Sequence, residues 1–168
     1  MELIRGLINL QQQPTACVAT IGNFDGVHLG HQRIIERVLA QAETLGLPSC
    51  VLLFEPHPKE FFMGDNCPAR LTCFREKYHR LKMLGVDRLV LLQFNQNTRE
   101  MKAEDFIETI LIKRLRVKHL VVGDDFHFGH QRLGNYQLLE QLATNQYTLE
   151  PTPSILINNE RVSSTLLR

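Results

Sequence analysis

The sequence predicts an α/β domain: a Rossmann-like, open, mostly parallel sheet with helices on both faces. Three observations predict it. Short apolar runs of strand length recur at 16–21, 49–54, 86–94 and 118–122. Segments with apolar residues at helical spacing separate them. Residues able to do chemistry follow the runs directly, and ligands bind outside the carboxyl ends of strands in such sheets. The 168 residues suit one domain with a real core and are rather few for two.

The elements follow in order. The run 16–21 (Ala-Cys-Val-Ala-Thr-Ile) reads as a buried strand. A glycine-rich turn leads into 30–45, where Ile34, Ile35, Val38, Leu39, Ala42 and Leu45 keep helical spacing and Gly46 sits where a helix ends. A second strand, 49–54, precedes a helix over 71–84 that stops at Gly85. The third strand is 86–94, and Phe106, Ile107, Ile110, Leu111 and Leu115 mark one face of a helix over 103–115. The fourth strand, 118–122, opens a loop over 123–135 and a short helix over 136–143. Segments 154–157 and 161–163 flank Asn158-Asn159, which has hairpin-turn chemistry. Residues 164–168 read as the first turn of a helix, with Ser164 near the N-cap.

Composition narrows the function classes. Lys and Arg number 19 against 18 Asp and Glu, a net charge of +1, without the basic excess that gripping nucleic acid requires. No run approaches the roughly 18 apolar residues of a membrane helix, and the N-terminus lacks a secretory pattern. Four cysteines (Cys17, Cys50, Cys67 and Cys73) stand without a C-x-x-C, so free thiols in a reducing cytoplasm fit better than a zinc site or a disulfide framework. Arg75, Lys77, Arg80 and Lys82 read as a solvated helix face, Phe54 as core, and His79 and His119 as ordinary histidines.

The turn after the first strand, Gly22-Asn23-Phe24-Asp25-Gly26-Val27-His28-Leu29-Gly30-His31, is neither G-x-G-x-x-G nor a P-loop. It offers H-x-G-H at a helix start, where free N–H groups and the helix dipole favour an anion. Its glycines allow close approach of a ligand, and two imidazoles three residues apart can face one site. His-x-x-His can also chelate a metal, but no nearby Cys or carboxylate set has convincing spacing.

This segment resembles the H-x-G-H signature of the nucleotidyltransferase superfamily, and its flanks resemble the form found in prokaryotic FAD synthetases. Three further stretches are similar to that family in the same order: Phe54-Glu55-Pro56-His57-Pro58, Val122-Gly123-Asp124-Asp125-Phe126-His127-Phe128-Gly129, and Arg161-Val162-Ser163-Ser164-Thr165-Leu166-Leu167-Arg168. Two positions depart from the pattern: Leu53 stands where a Thr is frequent, and Asn135 where an acidic residue is common.

The resemblance implies adenylyl transfer from ATP to FMN, with Mg²⁺, giving FAD and pyrophosphate. It implies catalytic roles for His28, His31, Ser164, Thr165 and Arg168. ATP would be held by Gly22, Asn23, Phe24, Asp25, Gly26, His28, Gly30, His31, Arg161, Ser163, Ser164 and Arg168. FMN would be held by His57, Pro58, Phe62, Asp125, Phe126 and Phe128, with His57 beside the nucleotide site. Protein ligands for Mg²⁺ are not identified. The expected partners are small molecules rather than nucleic acid or a membrane, and the family's usual riboflavin kinase module is absent from these residues. Other H-x-G-H transferases, acting on nicotinate mononucleotide or phosphopantetheine, and a non-catalytic nucleotide-binding module remain alternatives. The enzymatic reading requires the paired imidazoles and the Ser-Thr-Arg turn to converge on one triphosphate.

Overall fold

The structure is a computed structural model that describes residues 1–10, 15–143, 145–157 and 160–168. Among these residues, six strands form one sheet: β1 (Glu2–Arg5), β2 (Cys17–Ile21), β3 (Ser49–Glu55), β4 (Arg88–Gln93), β5 (Val117–Gly123) and β6 (Thr148–Thr152). Their order is β1-β4-β3-β2-β5-β6, and every pairing is parallel.

The helices in chain order are α1 (Leu7–Leu10), α2 (Leu29–Leu45), α3 (Pro58–Met63), α4 (Phe74–Met83), α5 (Gln96–Glu100), α6 (Ala103–Phe106) and α7 (Tyr136–Ala143). The 103–115 segment expected as one α-helix instead continues from α6 as a π-wound stretch, Ile107–Arg114. It still buries the face its periodicity marks, with Phe106, Ile107, Ile110 and Leu111 at 3% exposure or less.

Both sheet faces are covered. On one, Ala19, Leu52, Val90 and Leu120 pack beneath Phe106, Ile110, Leu111 and Leu139. On the other, Val51, Leu53 and Leu89 meet Ile35 of α2 and Leu81 of α4, while Val18 and Val121 meet Val38 and Ala42. Alternate residues of a strand point to opposite faces, so a sheet buried on both sides needs continuous apolar runs. β2 and the first five residues of β3 are buried throughout.

Two strands fall outside the sequence expectations. β1 is a short edge strand with charged ends, paired with β4. β6 contains Pro151, which reads as a strand breaker but is tolerated because β6 lies at the other edge. The expected hairpin is present as β7 (Leu156–Ile157) and β8 (Glu160–Arg161), antiparallel. Its turn, Asn158-Asn159, lies outside the described residues, as does the side chain of Arg161.

The strand order locates the site. From β2 the chain moves to β3 and then β4 on one side, and later returns to β5 on the other side of β2. The sheet therefore reverses direction between β2 and β5, and the loops leaving those two strands diverge to opposite faces. That divergence opens a crevice at their carboxyl ends.

Candidate active site

The turn after β2 is built around a buried carboxylate. Asp25, 2% exposed, accepts hydrogen bonds from Leu71 N (3.0 Å) and Thr72 N (3.1 Å), and Arg168 Nη2 donates to it at 2.7 Å. Burial alone would raise its pKa. The two backbone N–H groups and the charges of Lys77 and Arg168 outweigh burial and hold the carboxyl below its ordinary range. On the same turn, Ser164 Oγ donates to the Asp25 carbonyl (3.0 Å), and Gly26 N donates to Thr72 Oγ1 (2.9 Å). One residue thus joins the β2 turn, the 71–72 segment and the C-terminal turn.

Lys77 supports this turn from beneath. Its Nζ donates to the Asn23 carbonyl at 2.7 Å, and it is 4% exposed. This corrects the expectation of a solvated face. Burial pushes its pKa down, and the Asp25 carboxylate opposes that shift. Helical spacing carries the signal: Lys77 lies three residues after Phe74 and four before Leu81, on the face that packs inward.

The imidazoles sit at the start of α2. His28 is its N-cap, with Nδ1 accepting from the His31 backbone N–H at 3.4 Å. In neutral His28 that bond leaves the proton on Nε2. The two rings stack with centroids 3.6 Å apart, and His31 also meets Phe24 at 4.9 Å. A Cβ at Gly30 would come within 3.2 Å of the His28 ring, and one at Gly22 within 2.9 Å of the Phe24 ring. Both glycines leave room for the rings the turn carries. Burial, helped by the charges of His28 and Lys77, takes the His31 pKa down to about 3.

These groups line a cavity of about 300 Å³ together with His57, Asp125, Ser163, Ser164, Thr165 and Arg168. The H-x-G-H turn and the Ser-Thr-Arg turn therefore do converge. Ser163, rather than Ser164, caps the last turn, its Oγ accepting from Leu166 N at 3.2 Å. Asp124 closes the far wall by accepting from Ser154 Oγ at 2.7 Å. His57, expected with the flavin set, lines this cavity, where its Nδ1 caps α3 by accepting from Lys59 N at 3.0 Å. Burial lowers its pKa as well. The approach to α3 is pinned by Arg70, which pairs with both Glu55 and Glu60.

A second cavity, about 240 Å³, is walled by Phe54, Phe62, Phe94, Phe106, Phe126 and Phe128, with Pro58, Arg99 and Arg132 at its margin. Phe54 thus belongs to a cavity wall as well as to the core. Phe126 and Phe128 lie nearly parallel with centroids 5.4 Å apart, and Arg99 sits 5.4 Å above the Phe62 ring. The two cavities share Ile21, Gly22, Asn23, Lys59 and Phe126.

A sequence model described as FAD synthetase matches residues 10–166. The chain belongs to the FAD synthetase family. It is similar to curated bifunctional riboflavin kinase/FMN adenylyltransferases from Pseudomonas fluorescens (48% identical, covering 100% of this chain and 54% of that protein) and Haemophilus influenzae (43%, covering 100% and 55%). The Escherichia coli K12 protein of the same name is 43% identical, with 100% and 54% covered. The chain therefore spans about half the length of these relatives. Among solved structures, a Streptococcus pneumoniae chain named macrolide-efflux protein superposes with a TM-score of 0.86 at 25% identity, covering 99% of this chain and 55% of that one. Among the described residues no helix is long and apolar enough to cross a membrane.

In this FAD synthetase domain the residues expected around ATP gather at the first cavity, except that Gly26 does not line it and Arg161 is described only in its backbone. Of the flavin set, Pro58, Phe62, Phe126 and Phe128 line the second cavity, whereas His57 and Asp125 line the first. Sequence reasoning placed Lys77 on a solvated face and did not single out Lys59, Arg99 or Arg132, which line the cavities.

Two measurements probe the burial of His31 and the Asp25 anchor. His31 stays neutral as pH falls until about 3, seen as an unmoved ring-proton resonance in an NMR titration; titration near the ordinary 6.5 contradicts the burial. Asp25→Asn lowers unfolding free energy near neutral pH by about 2 kcal/mol, because Arg168 and the Leu71 and Thr72 N–H groups lose an ionised acceptor. A carboxylate held below its ordinary pKa of 3.8 stabilises the fold above that pH and loses the contribution as pH falls through the lower folded value. Denaturant unfolding then shows the gap between wild type and variant narrowing in acid.

Proposed function

We propose that this chain transfers the adenylyl group of ATP to FMN, giving FAD and pyrophosphate. One observation carries the reading: an anion-suited cavity and an aromatic-walled cavity meet at Gly22 and Asn23. The first suits a triphosphate and the second a flavin ring. The names of the relatives pair FMN adenylyltransferase with riboflavin kinase, and we assign adenylyl transfer to the half that this chain matches.

The chemistry asks for positioning and charge stabilisation. An FMN phosphate oxygen, already ionised at neutral pH, attacks the α-phosphorus of ATP. The bond from that phosphorus to the bridging oxygen breaks, and pyrophosphate leaves with the electron pair. No general base is required. His28 donates from Nε2 to the phosphates, and His31 donates as a neutral imidazole. Ser164, Thr165 and the N–H groups opening α2 supply further donors. Arg168 adds positive charge at the cavity wall while it holds Asp25. Ser163 shapes the C-terminal turn as its cap. Phe126 and Phe62 flank the flavin, with Phe128 backing Phe126, and Asp125 faces the ribityl or phosphate end from the nucleotide side.

Mg²⁺ enters with ATP as part of the substrate. Phosphate and water oxygens suit this hard cation, and no cluster of three or more His, Cys, Asp or Glu stands ready for a metal among the described residues. The four free thiols and the balanced charge fit a cytoplasmic enzyme of small molecules.

Incubation with FMN, ATP and Mg²⁺ tests the reading, because adenine stacking quenches flavin emission when FAD forms. Quenching, with FAD identified by mass, is expected, and His28→Ala lowers turnover at least about tenfold, or about 1.4 kcal/mol in barrier. Pyrophosphate release from nicotinate mononucleotide but not FMN, or nucleotide binding without turnover, contradicts it.

A further inference from the structure

The transfer reaction brings two anions into contact, and their mutual repulsion must be offset where they meet. The residues shared by the two cavities are Ile21, Gly22, Asn23, Lys59 and Phe126. Among the described residues, Lys59 is the only charged side chain lining both. The other cations are divided: Arg168 lines the first cavity and is paired with Asp25, whereas Arg99 and Arg132 line the second.

The local structure presents Lys59 for this task. It is the second residue of α3, immediately after Pro58, and its backbone N–H is held by His57 Nδ1. The Cα is thereby fixed by a capped helix start, while the side chain is exposed. The neighbouring cation Arg70 is committed to Glu55 and Glu60. An ammonium on a flexible four-carbon stem can follow a phosphoryl group as its charge moves.

We propose that Lys59 bridges the FMN phosphate and the ATP phosphates during transfer, touching both substrates. This rests on the adenylyl-transfer reading. Lys59 acts as a catalytic cation: it neutralises the approach of the attacking oxygen to the α-phosphorus and transfers no proton. A lysine that merely decorates the surface of α3 would affect neither substrate.

The test compares wild type, Lys59→Met and Lys59→Arg in FAD formation from FMN and ATP, together with fluorescence titrations of FMN and of phosphate-free riboflavin. Lys59→Met is expected to lose about tenfold or more in kcat/KM, with Lys59→Arg recovering most of it. It should also weaken FMN binding while leaving riboflavin binding and the unfolding midpoint unchanged. FAD formation by Lys59→Met at the wild-type rate, or equal weakening of FMN and riboflavin, overturns the role of Lys59 alone. Failure of wild type to form any FAD overturns the adenylyl-transfer reading, and this proposal with it.

Discussion

The candidate site depends on one buried carboxylate. Asp25 lies 46 and 47 residues from the amides it binds and 143 from the arginine it pairs with. It therefore fixes three distant stretches of chain at one point. A carboxylate at this depth is costly unless its oxygens are satisfied, and here backbone N–H groups and a guanidinium satisfy them. The paired histidines and the Ser-Thr-Arg turn face one cavity because both hang from this anchor. Lys77 completes it from below by holding the Asn23 carbonyl.

The sheet supplies the larger frame. Reversal of strand order between β2 and β5 opens a crevice, and the loops after β2, β3, β5 and β6 all reach into it. The loop after β3, stiffened by two prolines and by the Arg70–Glu55–Glu60 cluster, adds α3 as a wall common to both cavities. The loop after β5 contributes Asp124 and Asp125 to one cavity and Phe128 to the other, with Phe126 reaching both. A polar compartment and an aromatic one can thus share a boundary only a few residues wide.

Much of this was legible in the sequence because the signals are local. Continuous apolar runs marked β2 to β5, helical spacing marked α2, and the four motif segments fell at or just beyond the carboxyl ends of strands. What was not legible depends on distant contacts. Glu2–Arg5 carries charged ends and Thr148–Thr152 a proline, so each becomes a strand only because a neighbour's edge is there to pair with. Asp25 looked like one more ligand residue because nothing in the turn reveals partners so far along the chain. Lys77 was hidden by the basic residues around it, although its spacing from Phe74 and Leu81 already put it on the buried face. Lys59 has no pattern signal, since its importance arises only from where the two cavities touch.

The most direct test of the central claim is a crystal structure of the chain with a non-hydrolysable ATP analogue. The triphosphate is expected to contact the His28–His31 turn and the Ser164–Thr165 turn together, with the α-phosphate towards Gly22 and Asn23. A triphosphate held by one of these turns alone, or seated in the aromatic cavity, would contradict it.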